Sequence, residues 1–265
     1  MRQRGIRPAL LEILVGHDPA SQMYLRLKHH KANQLGIHSV IKSLPNSVSQ
    51  QRLLNLLITA NHDPRINGIV VQSPLPAGFD EQKINGLVNP RKDADGVNPL
   101  NLGRLWSDDS GFYPVGCTPK GIMKILRLQR IRLFGSRVVI IGRSRIVGRP
   151  LAGLLTNAGA LVTILNHSAI PLRNYTKRAD VIITAAGKVN LLDADDVKLG
   201  ATVIDVGENP LPNGHLAGDA DFASVAQRAG KITPVPGGVG PVTVATLLQQ
   251  VVELTQWSLN QNGRK

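Results

Sequence analysis

Apolar and polar positions fall along the chain in blocks whose length and spacing predict strand and helix in turn. Residues 9–15 are an almost continuous apolar run stopped by Gly16, the pattern of a buried strand, and residues 21–35 read as a helix closed by Gly36. Residues 38–44 alternate well enough for a second strand. Residues 47–61 follow as an amphipathic helix with Leu53, Leu54, Leu57 and Ile58 on one face, and Ser47 and Gln50 stand at capping-box spacing. Residues 68–72 are rich in β-branched side chains until the turn Ser73-Pro74-Leu75-Pro76 ends the run, which makes Gln72 a strand-end residue. In α/β units ligands gather at the carboxyl ends of parallel strands, so a polar side chain there is a site candidate.

A second series opens with a helix predicted over residues 119–130, Thr118 as its N-cap and Pro119 at its first position. Residues 138–141, 160–165, 181–185 and 202–206 read as strands separated by helices or loops, and a last helix runs from Pro241 to about Leu259. This rhythm predicts a doubly wound, dinucleotide-type domain. No internal repeat or low-complexity linker divides the chain, so the expectation is two α/β domains sharing a cleft.

Composition narrows the class. The 265 residues, 42% of them apolar, suffice for one or two domains with a sizeable core, which excludes a disordered or fibrous chain. The single cysteine, Cys117, excludes an intrachain disulfide framework and any multi-cysteine zinc or iron–sulfur site, and it fits a reducing, cytoplasmic compartment. No apolar run approaches the roughly 20 residues that span a bilayer. The basic start of the chain is interrupted by Glu12 and lacks a small-residue cleavage site, which argues against a signal peptide.

Charge is uneven. Lys and Arg total 31 against 18 Asp and Glu, a formal net charge of +13, and no acidic residue lies between Cys117 and Ala179. An anionic partner fits this stretch, and a solvated basic face is the plainer reading. Aromatics at 3% and the lack of a recognition motif argue against nucleic acid.

Four constellations could carry chemistry. Tyr24 and Lys28, four apart on the first helix, share a face and can converge on one ligand, although such a lysine is often solvated with its stem on the ring. Lys92-Asp93-Ala94-Asp95-Gly96 is a turn with two carboxylates, which alone is equally an Asx-turn. Gly142-Arg143-Ser144-Arg145-Ile146-Val147-Gly148-Arg149-Pro150 joins a strand to a helix, where phosphates meet backbone N–H groups. Ser144 stands where the dinucleotide fingerprint has its second glycine, and Arg143 suits a phosphate monoester. The plainer reading there is a helix-entry turn with exposed arginines. Gly237-Gly238-Val239-Gly240-Pro241 permits close backbone approach to a ligand or is simply a tight turn. The seven histidines show no metal-ligand spacing, no Ser/His/Asp or Cys/His set stands out, and Cys117 reads as packed rather than nucleophilic.

Together these residues resemble the bifunctional methylenetetrahydrofolate dehydrogenase/cyclohydrolase family. The resemblance runs through Val15-Gly16-His17-Asp18-Pro19-Ala20-Ser21, Tyr24 and Lys28, Val71 to Pro76, Lys92 to Gly96, Cys117-Thr118-Pro119, Gly142 to Pro150, and Thr233 to Thr243. It implies a folate domain over residues 1–115, completed by a final helix 244–265, and a Rossmann-like NADP domain over 116–243, assembled as a homodimer. It implies oxidation of methylenetetrahydrofolate with NADP, NAD being the other candidate, then hydrolysis of methenyltetrahydrofolate to 10-formyltetrahydrofolate. Those steps belong to one-carbon metabolism and purine biosynthesis, with tetrahydrofolate as the carrier.

Carried onto matching positions, Lys28 is the general acid/base, Tyr24 stacks on the folate, Gln72 holds Lys28 and water, and Asp95 binds the pterin edge. Pro74, Gly237 and Pro241 complete the substrate contacts. Arg143 and Ser168 would meet the NADP 2′-phosphate. Gly142, Ser144, Ile146, Val147, Gly148, Pro150, His167 and Gly207 would line the rest of the cofactor, with Gly237, Gly238 and Val239 at its nicotinamide end.

The sequence departs from the family pattern at Ser73, Asn98, Gly116, Ala169-Ile170 and Val242, where leucine, histidine, proline, Lys-Thr and methionine are frequent. None removes a presumed catalytic side chain, but Ala169 removes a positive charge beside the expected phosphate. Members usually have about thirty further residues ahead of the strand at Ala9, supplying a first helix of the folate domain; either Met1 is a misplaced start, or the helix is missing and apolar surface of the folate domain is expected to be uncovered. The competing readings are a monofunctional NAD(P)-dependent dehydrogenase and a truncated, inactive relative whose basic face binds nucleic acid.

Overall fold

The computed structural model describes residues 6–262. The basic start at residues 1–5 and the predicted end of the last helix at 263–265 lie outside the described residues. The chain divides into two compact units, Met1–Cys117 with Leu247–Lys265, and Thr118–Thr246.

In the first unit three parallel strands, β1 (Ala9–Val15), β2 (His38–Leu44) and β3 (Gly68–Val71), lie in the order β2-β1-β3. The central position of β1 explains its sequence, since it is buried at every residue and therefore reads as continuous rather than alternating. Its register sets Glu12 between Ile41 and Val70. Helix α1 (Pro19–Gln34) is capped by Asp18, whose carboxylate accepts the Ser21 N–H at 2.7 Å.

Helix α2 (Gln50–His62) begins later than its pattern predicts. Val48 N–H closes a turn onto Pro45 O at 3.0 Å, which leaves Ser47 outside the helix, and Ser49 is the cap, accepting Arg52 N–H. The predicted Ser47–Gln50 box therefore does not form, and Gln50 Oε1 accepts Asp80 N–H instead. Leu53, Leu54, Leu57 and Ala60 are its buried face, whereas Ile58, placed there by periodicity, is 44% exposed. Two short helices that periodicity did not reveal, α3 (Glu81–Leu87) and α4 (Pro99–Trp106), frame the loop that carries Asp95.

Helix α5 (Cys117–Leu128) opens at the cysteine, so Thr118 is inside it rather than its cap. The second unit continues as β4 (Arg137–Ile141), α6 (Gly148–Asn157), β5 (Leu161–Leu165), α7 (Arg173–Thr176), β6 (Val181–Thr184) and β7 (Thr202–Asp205). A hairpin of β8 (Asn209–Pro210) and β9 (Leu216–Ala217), helix α8 (Phe222–Val225) and β10 (Lys231–Ile232) follow. Its sheet is parallel in the order β10-β7-β6-β4-β5, so the strand order reverses between β4 and β6. Alternate residues of β4 serve opposite faces: Val138 and Ile140 pack with Leu126 of α5 and Leu151 of α6, while Val139 and Ile141 pack with Leu165, Leu192 and Val203.

Helix α9 (Val239–Asn262) belongs to both units. Val239 joins the core of the second, and residues from Leu247 onward belong to the first, where Val251, with Ala94, would crowd a side chain at Gly68. Among the described residues no helix is long and apolar enough to cross a membrane.

Candidate active site

In the first unit β1, α1, β2 and the end of β3 converge on one buried lysine. Lys28, 4% exposed, donates to Gln72 Oε1 at 2.8 Å and pairs with Glu12 Oε2 at 3.1 Å. Gln72 is placed by its own N–H, which donates to Ile13 O at 2.8 Å, and its amide Nε2 faces the same Glu12 oxygen at 3.5 Å. Tyr24, one turn back on α1, sets its ring centroid 5.0 Å from the lysine nitrogen. Glu12 is fully buried, and burial pushes its carboxyl above the ordinary range against the opposing charge of Lys28.

Asp95 reaches this group from the loop after α3. Gly96 makes that approach possible: its φ is +65°, and a Cβ there would run into the Val115–Gly116 backbone. Burial raises the Asp95 carboxyl against the charge of Lys28 and the Cys117 N–H and thiol beside it, so the lysine lies under the influence of two carboxylates. The cysteine itself is buried, its thiol reaching Ala94 O at 3.2 Å, and Gln250 of α9 donates to that same carbonyl at 2.9 Å. Asp93 holds the other side of the loop, accepting from Val97 N–H, Asn98 N–H and Asn101 Nδ2 at 2.8–3.1 Å. Pro74 stands on the exposed turn after β3, which Glu81 ties down through Ser73 Oγ and Leu75 N–H.

In the second unit a cavity of about 670 Å³ opens at the carboxyl ends of β4, β5 and β6, where the strand order reverses. Gly142, Arg143, Ser144 and His167 line it, joined by Arg173 and Lys188. Gly142 has a φ of +123°, and a side chain there would meet the Ala185 carbonyl, so the backbone itself forms the cavity wall. Ser144 ties the loop to the start of α6, its Oγ accepting Val147 N–H at 3.1 Å and Gly148 N–H at 3.4 Å, while the N-cap position itself is Val147. That hydroxyl supplies locally what a second fingerprint glycine leaves open for a phosphate. Ser168 is turned onto Asn166 Oδ1 by both its N–H and its hydroxyl.

The remaining positions fall elsewhere. Ile146 is exposed, Val147 half-buried, and Gly148 and Pro150 buried at the start of α6, all four outside the lining of this cavity. Gly207, Gly237, Gly238 and Val239 gather around a second, small cavity beside Asp205 and Glu208. Pro241 is exposed in the first turn of α9.

Residues 1–95 match the catalytic domain of tetrahydrofolate dehydrogenase/cyclohydrolase, and residues 116–259 match its NAD(P)-binding domain. The chain belongs to the tetrahydrofolate dehydrogenase/cyclohydrolase family. Among members of this family, the bifunctional protein FolD of Levilactobacillus brevis is 51% identical over 97% of this chain and 90% of its own. The crystal structure of the bifunctional methylenetetrahydrofolate dehydrogenase/cyclohydrolase of Campylobacter jejuni superposes with a TM-score of 0.93 at 45% identity, covering 96% of this chain and 90% of that one. The Trypanosoma brucei enzyme, solved with NADP and an inhibitor, gives 0.93 at 38% identity, covering 97% and 90%.

The cavity of the second unit fits the family's dinucleotide. At the end of β5, where a carboxylate would hold an unphosphorylated ribose, stand Asn166, His167 and Ser168, with Arg143, Arg173 and Lys188 lining the same space. Asp196 is the one carboxylate among its lining residues, 4.0 Å from Arg173 and raised by burial.

Sequence reasoning passed over several of these groups. Glu12 is a lone carboxylate in an apolar strand, a signal visible in the sequence and read only as an interruption. Ser39 and His29, which bond at 2.8 Å, gave no local signal, nor did Arg173 and Lys188, which the fold alone brings beside Arg143.

Proposed function

We propose that this protein oxidises methylenetetrahydrofolate to methenyltetrahydrofolate with NADP and hydrolyses the product to 10-formyltetrahydrofolate, as a cytoplasmic homodimer. Folate binding falls to residues 1–115 with the helix 244–265, and NADP binding to 116–243. The observation that carries the reading is the buried Lys28, held between Gln72 and Glu12 and coupled to Asp95.

Lys28 serves as the general acid/base of hydrolysis. Its nitrogen has little contact with water, and Gln72 Oε1 and Glu12 Oε2 take two of its directions, so the one remaining can face a reacting atom. Tyr24 offers a ring face for the folate, and Asp95 offers carboxylate oxygens to the N–H donors of a pterin edge, with Pro74, Gly237 and Pro241 closing the contacts. Arg143, with Ser168, holds the 2′-phosphate, and Gly142, Ser144 and His167 hold the neighbouring part of the cofactor. Ile146, Val147, Gly148, Pro150 and Gly207 complete that half, with Gly237, Gly238 and Val239 at the nicotinamide end. Held by these residues, NADP would supply the acceptor for the hydride of the methylene carbon.

Turnover of purified protein with methylenetetrahydrofolate and NADP or NAD, following reduced nicotinamide and methenyl separately, tests the reading. Reduction without methenyl accumulation beyond a no-enzyme control supports both activities. Accumulating methenyl leaves only a dehydrogenase, and folded protein that reduces neither cofactor overturns the proposal. Light scattering at twice the chain mass supports the dimer, and a monomer removes it.

A further inference from the structure

Lys28 is enclosed, yet hydrolysis obliges it to dispose of a proton. Oxidation of methylene to methenyl moves a hydride and releases no proton, whereas adding water to the methenyl cation to give the formyl product releases one. A lysine that takes this proton inside a closed site has to return it to solvent before the next turnover.

A continuous set of hydrogen-bonded groups leads away from it. Lys28 Nζ meets Glu12 Oε2 at 3.1 Å; the other Glu12 oxygen accepts Ser39 Oγ at 3.4 Å; Ser39 Oγ lies 2.8 Å from His29 Nδ1. Glu12 is fully buried and Ser39 nearly so, while His29 is half-buried, and its Nε2 lies 3.0 Å from Nδ2 of the exposed Asn33. His29 follows Lys28 directly on α1, so the two side chains leave the helix in different directions, and only β1 and β2, through Glu12 and Ser39, rejoin them.

We infer that Glu12, Ser39 and His29 form a proton path from Lys28 to solvent, with Glu12 the positioning residue at its inner end. This rests on Lys28 being the acid/base of hydrolysis. Outward, an Nζ–H bond breaks and a Glu12 O–H bond forms, leaving neutral amine and neutral carboxylic acid. With His29 in its Nε2–H tautomer and the exposed Asn33 amide turned to offer its oxygen to Nε2, the carboxyl turns and gives its proton to Ser39 Oγ as that hydroxyl gives its own hydrogen to His29 Nδ1. The imidazolium then releases a proton from Nε2 to water and regains its starting tautomer through solvent. One proton leaves, Glu12 is again ionised, and nothing is oxidised or reduced. Burial, which raises the Glu12 carboxyl, favours transient proton occupancy on that oxygen.

The test compares wild type, Lys28→Met, His29→Ala, Ser39→Ala and Glu12→Gln as the ratio of methenyl hydrolysis to NADP reduction. His29→Ala should lower the ratio at least about tenfold through kcat, with KM for the methenyl substrate within about twofold, and added imidazole should restore it where equal ionic strength of sodium chloride does not. Ser39→Ala and Glu12→Gln should show the loss without rescue. A wild-type ratio in His29→Ala, or a loss that imidazole leaves untouched, overturns the path. If Lys28→Met hydrolyses like wild type, the reading of Lys28 fails first. If that variant is inactive while His29→Ala is normal, the path alone falls. Should Glu12→Gln not fold, the half-buried His29 decides the matter with Ser39→Ala.

Discussion

Asp93→Asn isolates the electrostatic cost of the loop that presents Asp95. Asp93 is 1% exposed, its hydrogen-bond donors are uncharged, and burial outweighs them, lifting its carboxyl from the ordinary 3.8 to about 6. At roughly 1.4 kcal/mol per pH unit, that displacement corresponds to about 3 kcal/mol. A carboxyl raised in the folded state holds a proton the unfolded chain has already lost. Its stabilisation is therefore complete below about pH 4 and disappears as pH rises through about 6.

The substituted amide does not titrate. The stability of Asp93→Asn minus that of wild type should therefore increase by about 3 kcal/mol between pH 4 and pH 7. At any single pH the new NH₂ group facing Val97 N–H adds a constant penalty of roughly 1–3 kcal/mol, so the slope rather than the offset carries the information. Urea unfolding followed by tryptophan fluorescence reads the right unit, because Trp106 and Trp257 both belong to the first. A difference that stays flat within about 1 kcal/mol over this range refutes the burial argument.

Two further variants address binding. Asp95→Ala should raise KM for the folate about ten- to a hundredfold, the loss of one or two hydrogen bonds to a charged group, while circular dichroism remains that of wild type; unchanged kinetics remove Asp95 from the pterin contact. Arg143→Ala should raise KM for NADP at least about tenfold and leave KM for NAD nearly unaltered, because a charge-assisted contact to the 2′-phosphate is lost. An unaltered NADP to NAD ratio moves phosphate recognition to Arg173 and Lys188.

Much of this architecture was legible because its determinants are local. The bounds of β1 and β2 follow from an apolar run and an alternating one, each ended by a turn, and Gln72 lies just past β3 because Pro74 and Pro76 cannot continue a strand. The helix cap was misplaced because Ser47 and Ser49 are chemically equivalent, and only the turn closed by Val48 on Pro45 chooses between them. The spacing of Lys28 with Tyr24 puts both on one face of α1, but alone it fits a solvated lysine equally, and a role for the lysine came only with the family resemblance. Its environment was not legible, since Glu12 meets Lys28 across 16 residues and Gln72 across 60, contacts set by strand order rather than by any local pattern. Ser144 shows the reverse case, a residue that breaks the expected glycine fingerprint and whose hydroxyl accepts the Val147 and Gly148 N–H groups where α6 begins.

The central claim is that Lys28 performs the hydrolytic proton transfer. Its most direct test is the hydrolysis of methenyltetrahydrofolate by wild type and Lys28→Met, measured beside NADP reduction and an unfolding curve for each. The account predicts that Lys28→Met keeps its fold and loses about 10²–10⁴-fold in hydrolysis, so that methenyl accumulates during any reduction that remains. A folded Lys28→Met protein that hydrolyses at the wild-type rate contradicts it.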